Sequence, residues 1–162
     1  MSQPKTKMGI ELNDFLKEVL AAPWFGFIVA INKSNQPVMT RVFGFKYEDP
    51  LTTLTVYTFK KDAQRVVDLL SEDVKISISA SKVANFKTAQ FKGTYHNHYD
   101  VLEEEMHYVR DSNVKQTEIM ASTGVPDGAF ANWKYEPTVA IVINVDEIFD
   151  QTPKVNAGNK IS

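Results

Sequence analysis

Residues 38–70 read VMTRVFGFKYEDPLTTLTVYTFKKDAQRVVDLL. Two runs of β-branched and aromatic residues, VMTRVFGF and TTLTVYTF, are separated by YEDPL, where Asp-Pro marks a turn between two strands. Beyond Phe59 the pattern changes to a helical one. The spacing predicts a helix from about Ala63 to Leu70, with Asp62 as N-cap and Val66, Val67, Leu69 and Leu70 as its apolar contacts. Lys60, Lys61 and Arg65 surround this predicted helix start, where backbone N–H groups favour an anion. A cation at Arg65, early in a helix, opposes the dipole, and a bound anion would account for it. The alternative is a solvated basic surface with Asp62 as its partner.

Outward from this stretch, WFGFIVAIN (24–32) has the density of a buried strand and KSNQP (33–37) that of a turn, so the first three strands read as an antiparallel meander. IELNDFLKEVLAA (10–22) places Ile10, Leu12, Phe15, Leu16, Val19 and Leu20 on one helical stripe, ended by Pro23. Residues 1–9 are polar and read as a loose segment. Downstream, VKISISAS (74–81) alternates Val74, Ile76 and Ile78 with polar residues, a strand with one wet face. TAQFKGTYHN (88–97) is a further strand with a bulge or bend expected at Gly93.

Residues 100–122 have helix propensity throughout, with Leu102, Met106, Val109 and Val114 as the apolar stripe and Asp111–Asn113 as the point of interruption. The Glu103–Glu105 run reads as the wet first turn, where negative charge suits the dipole. VPDGAFANW (125–133) reads as a loop, TVAIVINVDEIF (138–149) as a final buried strand, and 151–162 as a polar tail. Six strands in largely hairpin order, with a short helix between the third and fourth, make a mainly β, α+β domain over residues 10–150. They argue for a closed or nearly closed small barrel.

At 162 residues, 43% hydrophobic and 23% charged, the chain suits one domain with a proper core. A formal charge of −2 disfavours a dedicated nucleic-acid binder, so the basic corner is local and better suited to a small anion. The absence of cysteine removes disulfides, thiolate metal sites and thiol nucleophiles. The first residues carry no apolar signal-peptide core, and no apolar run reaches membrane-spanning length, so the expected setting is cytoplasmic, with no membrane partner.

Several side chains are candidates for chemistry. Alternation from Val38 puts Met39, Arg41, Phe43 and Phe45 on one face. A guanidinium there calls for an anion or a partner subunit's carboxylate, or else an edge position from which it reaches solvent. Gln90 offers a forked amide that suits the edge of a planar heterocycle, although mid-strand glutamines are commonly just exposed. His96 and His98 would share a strand face, with His107 a helix away. Lacking cysteine and with a turn expected near Asn97, they read as exposed histidines, not metal ligands. No nucleophile elbow, Walker loop or dinucleotide fingerprint is present.

In its order of features, residues 24–96 resemble the pyridoxamine 5′-phosphate oxidase-like family of FMN-binding split barrels, with a looser match through the following helix and the strand at 138–147. The resemblance implies a six-stranded antiparallel split β-barrel with flanking helices. It further implies a homodimer holding FMN in clefts at the interface. It assigns Arg41, Val42 and Phe43 of TRVFGF, and Tyr57 and Thr58 at the end of the third strand, to the cofactor. It aligns Ala63-Gln64-Arg65 with the family's Ser-Arg-Lys phosphate grip, so Arg65 keeps the charge while Lys60 or Lys61 replaces the lost donors. Gln90 matches the family's glutamine at the flavin ring, and Trp133 is a candidate cover for the cleft or, equally, a core or loop anchor. Lys46 falls where the true oxidases meet a substrate phosphate, but this chain has no arginine-rich C-terminal strand. The expectation is therefore an FMN-binding redox protein, a relative and not a pyridoxamine phosphate oxidase. The flavin would carry the electron chemistry for a small substrate. The alternatives are a non-catalytic flavin or small-anion binding module and a cofactor-free structural dimer.

Overall fold

The computed structural model describes residues 9–21, 24–31, 34–71, 74–126, 128–129 and 136–162. The loose segment at 1–8, the helix-ending Pro23, much of the 125–133 loop and Trp133 lie outside the described residues.

Among the described residues, eight strands form one curled antiparallel sheet. They are β1 (Trp24–Ile31), β2 (Pro37–Val42), β3 (Gly44–Tyr47), β4 (Thr53–Thr58), β5 (Lys75–Lys82), β6 (Thr88–Asp100), β7 (Val139–Asp150) and β8 (Asn159–Lys160). The helices are α1 (Asp14–Leu20), α2 (Lys60–Val67) and α3 (Glu103–Ser122). The main path is β2-β1-β5-β6-β7-β4-β3, with β8 paired to β7.

The strand expected over 38–45 is two strands. Its first half pairs with β1 and its second with β4, so consecutive segments lie at opposite ends of the sheet. The simple meander is thus corrected to two hairpins, and the chain crosses between sheet edges at Phe43. The edges meet there. The Phe43 N–H donates to the Tyr57 carbonyl at 2.7 Å, and the Thr58 hydroxyl donates to the Arg41 carbonyl at 2.8 Å. These bonds satisfy edge groups that an open sheet would leave exposed. The split, together with β8 from the polar tail, accounts for eight strands where six were expected.

The interior is filled by Ile28, Val42, Phe45, Leu54, Ile78, Phe91, Ile141 and Ile143, with Leu16, Val19 and Leu20 of α1 packed on it. Phe45 reaches across the barrel; a Cβ on Gly26 of β1 would sit 2.9 Å from its ring. α1 is shorter than its apolar stripe suggests. Asn13 caps it by accepting from the Leu16 N–H at 2.9 Å, while Ile10 bridges to Leu51. β6 continues through Asn97, where a turn was expected, and leaves His96 and His98 exposed.

α2 begins at Lys60, not near Ala63. Its N-cap is Phe59, without a side-chain cap, and Asp62 sits in the first turn. Lys60 and Lys61 are therefore helical, and Arg65 belongs to the last turn, where a cation suits the dipole. The electrostatic oddity expected at Arg65 does not exist.

Candidate functional site

Register brings two of the sequence candidates together. Arg41 pairs with Phe27, Phe27 with Ser79, Ser79 with Gln90, and Gln90 with Phe149. Directly paired residues project to the same face, so Arg41 and Gln90 share one row on the outer face, three strand spacings or about 14 Å apart. The Arg41 guanidinium lies over two rings, 5.1 Å from the centre of Phe25 and 5.0 Å from that of Phe43. The Gln90 fork is oriented at both ends, donating to Ser77 Oγ at 2.9 Å and accepting from Gln151 Nε2 at 3.2 Å. Phe27 within the row, and Ile31 and Met39 beside it, are 41%, 52% and 61% exposed.

The remaining candidates are spread around it. Val42 is core, and Phe45 is too, so the alternation expected from Val38 to Phe45 stops at the strand split. Phe43 packs edge-on against Phe59 at 4.7 Å. The Thr58 side chain is buried and committed to the Arg41 carbonyl. On α2, Lys61 and Arg65 are exposed, whereas the Lys60 ammonium stands 3.8 Å from Asp100 and its N–H donates to Thr138 Oγ1. Ala63 is fully buried, and the Gln64 amide donates to Asp68 at 2.6 Å. Ala63 supplies no side-chain donor and the exposed Gln64 amide is held by Asp68, so the corner offers chiefly charge, from Lys61 and Arg65.

Tyr57 and Lys46 belong to a second constellation beneath α3. The Tyr57 and Tyr99 hydroxyls donate to Glu105 Oε1 at 2.9 and 2.8 Å, and the Lys46 ammonium approaches the same atom at 3.3 Å. Glu105 Oε2 accepts the Leu102 N–H at 3.2 Å, the carboxylate half of a capping box. Only 5% of Glu105 is exposed, which corrects the expectation of a wet EEE run at its third member, while Glu103 and Glu104 are exposed as expected. Burial by itself pushes the Glu105 carboxyl up, but the bonds from Tyr99, Tyr57, the Leu102 N–H and Lys46 hold it below the usual carboxylate range. Burial and then the Glu105 carboxylate push the Tyr99 phenol up to about 12 and shift Tyr57 in the same direction.

α3 runs unbroken through Asp111–Asn113. Its buried face is Glu105, Val109, Ser112, Asn113 and Gln116, while Leu102 and Val114 are exposed. The expected apolar stripe is thus a largely polar one. Asn113 Nδ2 donates to the Phe43 carbonyl at 3.1 Å, tying α3 to the strand split. Gly44 makes this approach possible, since a Cβ there would lie 2.6 Å from the Tyr57 ring and 2.9 Å from Val109. Sequence reasoning missed Glu105 and Tyr99 as functional groups. The signal was the helical spacing of 105, 109, 112, 113 and 116, which a search confined to apolar residues passes over.

No protein-family model and no curated protein matches the sequence. Solved structures match the fold. HupZ from Group A Streptococcus aligns at a TM-score of 0.53 and 14% identity, covering 91% of this chain and 99% of that one. A candidate pyridoxamine 5′-phosphate oxidase from Lactobacillus delbrueckii aligns at 0.52 and 10%, covering 86% and 93%. A Clostridium acetobutylicum protein related to general stress protein 26, of the pyridoxinephosphate oxidase family, aligns at 0.52 and 13%, covering 90% and 91%. The chain has the pyridoxamine 5′-phosphate oxidase-like fold.

Proposed function

We propose that the protein binds a flavin, FMN, on the outer sheet face between Arg41 and Gln90 and works as a redox protein on a small substrate. The observation that carries this reading is the cross-strand row from Arg41 through Phe27 and Ser79 to Gln90. It joins a cation, an aromatic floor and a prearranged amide fork, a set that suits a planar heterocycle with carbonyl and N–H edges. The ring end of the cofactor fits these residues well. Its phosphate fits chiefly by charge, through Lys61 and Arg65, since Ala63 is buried and the Gln64 amide is tied to Asp68. Bound flavin would supply electron or hydride transfer; this chain's part is to hold the ring edge at Gln90 and neutralise the anionic end.

Phe27 in this row and Ile31 and Met39 beside it are exposed, and an apolar patch of that kind suits burial against a second copy of the chain. The homodimer would then enclose the cleft. A second reading is a cofactor-free dimer or a weak binding module, favoured by the commitment of Gln64 to Asp68 and of Ala63 to the core.

The test is the visible absorption spectrum of the purified protein after excess FMN and gel filtration with mass detection. A stoichiometric flavin band travelling with twice the chain mass is expected. Arg65→Ala should weaken FMN binding by about tenfold, the loss of one charge-assisted contact, and leave riboflavin binding unchanged. A colourless dimer after the same treatment would reject the flavin and leave the second reading.

A further inference from the structure

Lys46, Tyr57, Glu104, Glu105 and Tyr108 line a pocket of ≈ 420 Å³ together with Phe45 and Tyr47, between β3 and the first turns of α3. Its size lies in the range of small-molecule sites, about 300–1,000 Å³. Four of its seven lining residues are aromatic, and the charged ones are two carboxylates against one ammonium. That ammonium, Lys46, already stands 3.3 Å from Glu105, while Glu104 forms no ion pair among the described residues. Tyr47 and Tyr108 both line the pocket, and the Tyr108 phenol is pushed up, by burial first and then by Tyr47.

We infer that this pocket recognises a small organic cation, an alkyl- or methylated ammonium group with an apolar substituent. An anion would have to settle against two carboxylates with its only cationic partner already engaged, which is unfavourable at contact distance even in a screened site. A cation gains from both carboxylates and from the π-faces around it. Lys46 itself demonstrates the chemistry: a tethered ammonium occupies the position beside Glu105, and a ligand cation would take its place. The ligand's apolar part would lie among Tyr47, Tyr57 and Tyr108. This inference goes beyond the flavin reading and does not rest on it, because the pocket sits under α3 and not on the Arg41–Gln90 row.

The test is calorimetric titration of the full chain, without added flavin and at constant ionic strength, with benzyltrimethylammonium chloride and separately with sodium phosphate. Saturable one-to-one binding of the ammonium is expected, and none of phosphate. Replacing Glu105 disturbs the anchoring of α3, so the informative variants are at two exposed side chains. Lys46→Met removes the tethered competitor and should tighten ammonium binding by about threefold; Glu104→Gln should weaken it by about as much, each the scale of one partly exposed charge contact. Absence of saturable ammonium binding, a Lys46→Met protein that binds it more weakly, or phosphate binding that Lys46→Met abolishes would each overturn the assignment.

Discussion

Glu105→Ala is expected to lower the free energy of unfolding by about 3–4 kcal/mol, measured as a shift in the urea midpoint at neutral pH. The side chain is a clasp, not a surface charge. One buried carboxylate receives phenols from β4 and β6, an ammonium from β3 and the first free N–H of α3. Removing it strands the buried Tyr57 donor in the interior, at about 1–3 kcal/mol for an unsatisfied buried group. It also frees the start of α3 from the sheet. Glu105→Gln should lose less, since an amide oxygen still accepts one phenol. Tyr57→Phe and Tyr99→Phe each leave the carboxylate with fewer donors, and their effects should be non-additive because they act on one oxygen.

The clasp also has a pH signature. The folded-state Glu105 carboxyl titrates below its unfolded value of 4.5, so the unfolded chain takes up a proton first as pH falls. Its contribution is fully present above about pH 4.5 and is lost as pH drops through the folded value. The Glu105→Gln protein should therefore show a shallower fall in stability on the acid side. An Ala variant within 1 kcal/mol of the parent, or with an unchanged acid limb, would contradict the clasp.

The strands were legible because each carries its own dense run of β-branched and aromatic residues, and the wet face of β5 was plain in its alternation. The division at Phe43 was not, because both halves continue the same β propensity. Which neighbour each half pairs with is decided by contacts far along the chain. α2 was placed three residues late for a local reason: Asp62 offers a capping side chain, whereas the true cap, Phe59, has none. The placement follows the packing of α2 against β2, which no local signal announces. Of the site, Arg41 and Gln90 were singled out by their residue types and then by resemblance, but their common row depends on three strand registers that no single stretch contains. The Glu105 network was hidden for the opposite reason. An acidic triplet opening a helix satisfies the dipole so well that burial was not sought. Only the fold brings Tyr57, Tyr99 and Lys46, from three separate strands, onto its third member.

Gly93 was legible as an irregularity in β6, and its replacement should have an effect of similar size. The β6–β7 ladder pairs Lys92 with Glu147 but Gly93 with Val145, so β7 carries an extra residue at Asp146. A second irregularity, with Tyr95 opposite Ile143 and Asn97 opposite Val142, places an extra residue, His96, on β6. The two cancel, and the original register resumes from Asn97 to Asp100. The ladder is displaced by one residue over Gly93–Tyr95 alone, which bends both long strands within the curl of the barrel. At the inner side of that bend the backbones approach so closely that a Cβ on Gly93 would lie 1.8 Å from the Asn144 carbonyl oxygen and 2.8 Å from its carbon. These are main-chain atoms, so no rotamer change relieves the overlap. Gly93→Ala must push β7 away or lose the paired bulges, and either breaks packing around Phe91, Ile143 and Val145 in the core. A loss of about 3 kcal/mol or more is expected in urea unfolding, with faster hydrogen exchange concentrated in the β6 and β7 amides. Lys92→Ala, one residue away and exposed, is the control and should lose no more than its contact over the Phe149 ring, about 1 kcal/mol. If Gly93→Ala were as stable as that control, β6 and β7 could not be as close as the ladder requires. The bend that closes the barrel would then need another cause.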